Sequence, residues 1–353
     1  MKRVLGIVFF GIGIALAVFA AGLRFYVAPL GTNIPYDLAP STTIAEAKNG
    51  KYINTTNGAI ESATLDSYTY VVPQPVLTRD KLTGDLAGKA VIWDVYSQIK
   101  IAGSGEVMQP SSQEIALDRK TGEVLPWDGT WVNSTGTKEK ATITGYSYKL
   151  PFYAEQITYP YWDDTLGKTL DLKYAATETV SGLEAYRYEQ AKVDEKIGWD
   201  ADQLSLLRAV FGGGTGDVYY DVTRTIWVEP TTGQFLNVKQ SVLLEFRGGN
   251  GSKTTLLSGD FEYTDQTKAD AADTIKKNRD QLMLATVTLP AGAGGAGVLL
   301  LLVGILLIVL GGKKKTAAPA AEAPAAPTTT APTTTEPTTT EPTESPESTP
   351  STS

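Results

Sequence analysis

Hydrophobic positions fall into three regimes along the chain. Residues 4–23 (VLGIVFFGIGIALAVFAAGL) and residues 298–310 (VLLLLVGILLIVL) are apolar without interruption, and the second run is preceded by the small-residue stretch AGAGGAG at 291–297. Each reads as roughly 20 spanning residues, enough to cross about 30 Å of hydrocarbon as a helix. Between them, short β-branched and aromatic runs alternate with turn signals: AVIWDVY at 90–96, ATITGYSYKL at 141–150, LEAYRYE at 183–189, TRTIWVE at 223–229 and SVLLEF at 241–246. Alternating polarity of this kind predicts half-buried antiparallel strands. These strands read as short and irregular. Three segments, RDKLTGDL (79–86), DRKTGEVL (118–125) and EPTTGQFL (229–236), place Thr-Gly between strand-like flanks, where glycine supplies the positive φ of a tight hairpin.

Two stretches carry a helical pattern. From Asp200 to Phe211, Leu204, Leu207 and Phe211 share one face, and three glycines follow as a cap and loop. That glycine run closes a helix instead of opening one and no lysine follows it, so it is not a phosphate loop. Residues 265–284 are polar and rich in alanine and lysine, which predicts a helix leading toward the second apolar segment. The domain reading is a transmembrane helix over 1–24, a β-rich exported domain over 25–264 and a helical juxtamembrane stalk over 265–289. A second transmembrane helix over 290–312 and a disordered tail over 313–353 complete it. The tail is built of Ala, Pro, Thr, Ser and Glu without large apolar residues, and cannot form a core.

Charge sets the orientation. Lys2 and Arg3 precede the first apolar run, and Lys313, Lys314 and Lys315 follow the second. Both basic flanks belong on the cytoplasmic side, so two crossings put both termini in the cytoplasm and the main domain outside the plasma membrane. A cleaved signal peptide competes for the first run, because Val18, Phe19 and Ala20 resemble a cleavage site; the length of the run favours an uncleaved anchor. Gly13, Ala17 and Ala21, and likewise Gly292 and Ala296, recur at four-residue spacing, a pattern that lets helices approach closely in lipid.

Composition narrows the chemistry. The net charge is −8, and no histidine or cysteine occurs among the 353 residues. An acidic chain lacks the basic footprint of a nucleic-acid-binding surface. Without those two residue types, disulfide scaffolds, thiol nucleophiles, Cys/His metal sites and histidine-based triads are excluded, and no cofactor is indicated. Carboxylates, lysines, tyrosines and hydroxyls remain. The most unusual segment is residues 149–164 (KLPFYAEQITYPYWDD), with Phe152, Tyr153, Tyr159, Tyr161 and Trp162 around Pro151 and Pro160. Glu155 with Asp163 or Asp164 could form an acid–base pair of the glycosidase kind. The plainer reading is a proline-shaped loop whose aromatics fill a core and whose acids cap a turn.

LPFYAEQITYPYWD resembles the strongest signature of an actinobacterial envelope family of porin PorA-like proteins, through Pro151, Phe152, Glu155, Tyr159, Pro160, Tyr161, Trp162 and Asp163. LDRKTG at 117–122, GLEAYRY at 182–188 and WVEPTTG at 227–233 resemble it too, in the same order and between the same two apolar helices. The resemblance implies a role in lipoglycan assembly. It also implies a mainly β exported domain: an elongated antiparallel β-barrel crossed by a helix, of the lipid-binding tubular type, flanked by two transmembrane helices. Expected partners are a membrane lipid or lipoglycan and other membrane proteins of envelope biosynthesis. The function that follows is a non-enzymatic lipid- or lipoglycan-binding accessory protein, with Leu204, Leu207 and Phe211 as candidate lipid contacts. A carboxylate-dependent enzyme acting on cell-wall glycan and a structural or signalling envelope module are the alternatives. Short strands and two helical anchors argue against a membrane-embedded pore.

Overall fold

The computed structural model describes residues 1–54, 56–134 and 136–311; the three lysines and the tail lie outside them. The chain begins in helix α1 (Lys2–Gly22), passes through a π-helical turn (Leu23–Val27) and ends that element in α2 (Ala28–Gly31). Strands β1 (Ser41–Ile53) and β2 (Ile60–Pro73), helix α3 (Pro75–Lys81), then β3 (Ala90–Ile101), β4 (Val107–Asp118) and three short strands follow: β5 (Val124–Leu125), β6 (Trp131–Asn133) and β7 (Glu139–Lys140). Next come β8 (Tyr159–Asp163), β9 (Lys168–Val180), β10 (Leu183–Lys196), helix α4 (Ala201–Phe211), β11 (Gly216–Val228), β12 (Phe235–Gly248) and β13 (Lys253–Tyr263). Helix α5 (Asp265–Met283), a second π-helical turn (Leu284–Thr288) and α6 (Leu289–Leu310) end the described chain.

The protein is mainly β, as its alternating pattern predicts. Among the described residues the strands form a 13-stranded sheet in the order β7-β6-β4-β3-β2-β1-β13-β12-β11-β10-β9-β8, with β5 also on β4. All its pairings are antiparallel. The sheet does not close. Its edges are bridged locally, because Val124 pairs with Gly145 and Tyr146 pairs with Tyr161. Most strands run 11–14 residues, longer than the hydrophobic runs suggest. Those runs are only the middles of strands, whose polar ends, such as VDEK in β10, still pair.

Two other expectations are corrected. ATITGYSYKL is not a strand: Gly145 takes φ +75°, and a Cβ there would meet the Pro160 carbonyl, so the segment crosses the gap as loop. RDKLTGDL is the end of α3 and a short 3₁₀ turn, not a hairpin. The other two Thr-Gly segments are hairpins built alike. Asp118 accepts from the amides of Lys120 and Thr121, and Glu229 from those of Thr231 and Thr232, ahead of Gly122 and Gly233 with φ +80° and +72°.

Along β11 the buried side chains are Val218, Tyr220, Val222, Arg224, Ile226 and Val228, a strict period of two that turns one face inward. The apolar interior falls into separate clusters. One gathers Leu65, Val222, Leu244, Phe246 and Leu257; another gathers Tyr159, Tyr188, Ile226 and Val228. Helix α4 starts as expected, with Asp200 accepting from the amides of Asp202 and Gln203. Helix α5 packs on the sheet, burying Ala272 and Ile275 beside Leu183, Ala185 and Leu236.

Helices α1 and α6 pair along their length. Gly6, Gly13 and Ala20 face Gly297 and Gly304: a Cβ added at Gly13 would stand 2.9 Å from the Gly297 carbonyl oxygen, and one at Gly304 2.8 Å from that of Gly6. The contact repeats every seven residues, not every four. A period of seven keeps one seam facing its partner in a left-handed pair, whereas a straight four-residue row drifts off it. Ala17 lies on the seam, while a side chain at Gly292 would meet nothing within 4 Å.

Candidate functional site

Inside the curved sheet lies a cavity of about 1420 Å³. Strands supply Ala45, Val71, Ile99, Val242, Leu244, Leu257 and Phe261 as apolar wall, with Thr43, Ser67, Thr69 and Ser97 among them. The lining continues along α5, through Asp270, Ala271, Thr274, Asn278 and Leu282, and reaches Ala285 and Gly31. Ala285 lies within the second π-helical turn, four residues before α6, and Gly31 ends α2, which continues the first π-helical turn after α1. The cavity therefore extends to the place where both helices leave the domain. A shallower hollow of about 740 Å³ lies beside it, lined by Ala20, Arg24, Phe25, Tyr153 and Pro290.

One wall is polar, and it is built by neighbouring strands in register. Arg224 on β11 sits opposite Gln190 of β10 and Gln240 of β12. Its Nε donates to Gln240 Oε1 at 2.8 Å, its Nη1 to Gln190, and its Nη2 to Asp163 Oδ2 at 3.0 Å. Asp163 is 1% exposed and Arg224 7%. Such a pair survives burial because the guanidinium fork is nearly filled and the second carboxylate oxygen accepts the Leu166 amide at 2.9 Å. Asp163 thus caps a turn, as the plainer sequence reading holds, and also neutralises a buried cation.

Asp164 points differently. It is surrounded by protein but accessible from within the cavity, and it accepts from Trp162 Nε1 at 2.9 Å and more distantly from Gln113. Burial, then the charge of Asp163, pushes its carboxyl up to about 6. Lys149 also lines the cavity and is buried. Its Nζ donates to Leu150 O at 2.8 Å and lies 3.9 Å from the Phe152 ring centroid, and burial pulls its ammonium down to about 7.

The signature segment is distributed over several surroundings. Phe152, Tyr161, Trp162 and Asp163 line the cavity; Tyr159 is buried among Tyr146, Tyr174 and Tyr188; Pro151 is half-buried and Pro160 exposed. Glu155 is exposed on the outer loop and is not among the cavity-lining residues, so Asp163 and Asp164 lie inside while Glu155 does not. Tyr153, with φ +55°, shares a hydrogen bond with Thr286 at 3.2 Å and so ties this loop to the π-helical turn before α6. Leu204, Leu207 and Phe211 pack against the core cluster around Phe246; on their helix it is Gln203, with the capping Asp200, that lines the cavity.

All four signature segments meet here. Tyr188 donates to the Glu155 carbonyl at 2.6 Å, the amides of Tyr153 and Ala154 donate to Thr231 and Pro230, and a Cβ at Gly122 would stand 2.7 Å from Cγ of Lys149. A sequence model of the family described as Porin PorA matches residues 5–306. The chain belongs to that family. Relatives described as "Porin PorA" include one from Corynebacterium resistens, 23% identical over an alignment covering 92% of this chain and all of the relative. Another, from Corynebacterium amycolatum, is 25% identical over 69% of this chain and 78% of its own length.

For this PorA-family chain, reasoning from sequence missed Arg224, Gln190, Gln240 and Lys149. Arg224 had a legible signal. In TRTIWVE it shares a strand face with Ile226 and Val228, and a charge on the apolar face of a strand demands a buried partner. Lys149 had no such mark, since its burial depends on the crossing loop.

Proposed function

We propose that this chain is a membrane-anchored envelope protein that holds the acyl or polyprenyl chain of an amphiphile in its cavity, as an accessory to lipoglycan assembly. The observation that carries the reading is continuity. A space of about 1420 Å³ exceeds the roughly 300–1,000 Å³ of an ordinary small-molecule pocket, and its lining runs onto the segments that join the two apolar helices. An apolar chain leaving the bilayer surface would meet Gly31, Leu282 and Ala285 first and the strand wall next. In this reading the termini are cytoplasmic, the β domain lies outside the plasma membrane, and α1 is retained as an anchor, which its glycine-mediated packing on α6 supports. Partners are the lipid or lipoglycan and, through the helices or outer loops, other membrane proteins of envelope biosynthesis.

A non-enzymatic role is supported by how the acids are used. Asp163 is bound to Arg224, Asp164 is held by Trp162, and Glu155 is outside the cavity. The relatives' description favours a second reading, a conducting pore. Against a lipid-embedded sheet stand the polar outward positions of β9, among them Asp171, Lys173 and Thr179, where a membrane barrel carries an apolar band.

Native mass spectrometry of the full chain released from membranes tests the proposal. Wild type should carry co-purified amphiphile; Ala45→Trp in the wall and Ala271→Trp at the α5 side should lose it while melting near wild type. Wild-type protein that is always empty, or that gives discrete conductance steps in planar bilayers while both filled variants do not, would replace the carrier with the pore.

A further inference from the structure

We propose that the amphiphile carries an anionic headgroup and that Lys149 is its counter-charge inside the cavity. This rests on the amphiphile-holding reading and names the class of ligand.

Lys149 is 7% exposed and lines the cavity, yet among the described residues no ion pair involves it. A buried ammonium normally has a carboxylate beside it, because desolvating a lone charge is costly. Here the acids of the same cavity and of the adjoining turn are occupied. Asp163 belongs to Arg224, Asp164 accepts from Trp162 and Gln113, and Glu229, in the turn that closes on Leu150, accepts from Thr231 and Thr232. Among the described residues, the Lys149 ammonium donates to the neighbouring Leu150 carbonyl and lies over the face of Phe152. One donor of three is used, which leaves two for an incoming oxygen.

The surroundings hold the amine in place. The stem of Lys149 lies against the Asp118–Gly122 hairpin, where any side chain at Gly122 would collide with its Cγ, and the Leu150 amide donates to Gly233 O at 2.8 Å. One turn thus holds the backbone next to Lys149 and the other confines its side chain. Burial alone depresses its protonation, with no charged neighbour contributing, so an anion arriving beside it would restore full charge. Trp93 lines the same cavity. Phosphate and carboxylate share this chemistry, a compact oxyanion on a single apolar chain.

Lysophosphatidic acid, the free fatty acid and the monoacylglycerol of the same chain length separate the possibilities. Binding to full-length protein in a neutral detergent can be followed through the tryptophans lining the cavity. Wild type should bind one or both anionic lipids about 10- to 100-fold more tightly than the monoacylglycerol, the range of a charge-assisted hydrogen bond; which anion wins distinguishes a phosphate from a carboxylate ligand. Lys149→Met should bring the ratio close to one by weakening the anionic lipids far more than the monoacylglycerol, and Lys149→Arg should keep the preference. Empty Lys149→Met protein should melt higher than wild type, because an uncompensated buried charge has been removed. Equal affinities in wild type, a preference that survives Lys149→Met, or a lower melting temperature for that variant would each overturn the proposal. Failure of wild type to bind any of the three lipids would remove the amphiphile-holding reading, and this one with it.

Discussion

Removing one member of the Asp163–Arg224 pair should be among the most damaging single changes in the β domain. Arg224→Met leaves Asp163 with Oδ1 on the Leu166 amide and Oδ2 without its cation, and takes from Gln190 and Gln240 the donor they share. With both partners at most 7% exposed, water cannot replace the guanidinium directly. Breaking such a pair costs about 3–5 kcal/mol, and a domain of this size loses about 2–4 °C per kcal/mol, so the melting temperature should fall by roughly 6–20 °C. Asp163→Leu should cost a similar amount, because it leaves the buried Arg224 uncompensated, well above the ~1 kcal/mol of an acid that only caps a turn. The double variant Arg224→Met/Asp163→Leu should recover much of the loss, because well-packed apolar groups can replace a buried pair. Thermal unfolding of the four proteins in one detergent, followed by tryptophan fluorescence, gives the coupling directly. Single variants that each shift the midpoint by less than about 2 °C, or a double variant whose loss is the sum of the singles, would refute this.

Asp164 predicts a pH dependence of opposite sense to that of a salt-bridged acid. Its folded-state carboxyl, raised to about 6, lies above its unfolded value, so the folded protein gains relative stability as pH falls through 6 toward 4. Asp164→Asn should therefore melt higher than wild type at pH 7.5, with the difference gone near pH 4; an unchanged difference across that range excludes the Asp164 carboxyl as its source. Because the chain has no cysteine, Ala20→Cys/Gly294→Cys is a clean probe of the helix pair: a Cβ at Gly294 would lie 3.6 Å from that of Ala20, within disulfide range. An intramolecular crosslink on oxidation is expected, and a mature chain beginning at Ala21 would abolish it. A reporter active only outside the cytoplasm should work when inserted near Asn133 and fail after Lys315; activity at both sites would reverse the topology. Gln203→Trp, placed on the cavity side of α4, should reduce amphiphile co-purification, whereas Leu204→Ala should lower stability and leave the bound lipid in place.

Local physics made much of this protein legible before any fold was known. Unbroken apolar runs of about 20 residues specify long apolar helices at any tertiary arrangement, and period-two alternation specifies strands. Asp200 marks the start of α4 because a helix N-terminus needs an acceptor within three residues of chain. The aromatic segment was recognisable from composition alone. Only the tertiary structure decided which side chains become neighbours. Strand order brings Asp163, Gln190, Arg224 and Gln240 together from four separate parts of the chain, and their pairing is a property of register that no local window contains. The seven-residue glycine seam depended on which face of α1 met α6. Glu155, eight positions before Asp163, is exposed and outside the cavity lining because its loop is tied to Pro230, Thr231 and Tyr188, from a distant part of the chain. Lys149 was buried by the crossing segment and by two hairpins distant in sequence. Backbone preferences act over a few residues and can be read along the chain. Cavities, buried charges and their partners arise where distant segments pack, so they had to be found in space.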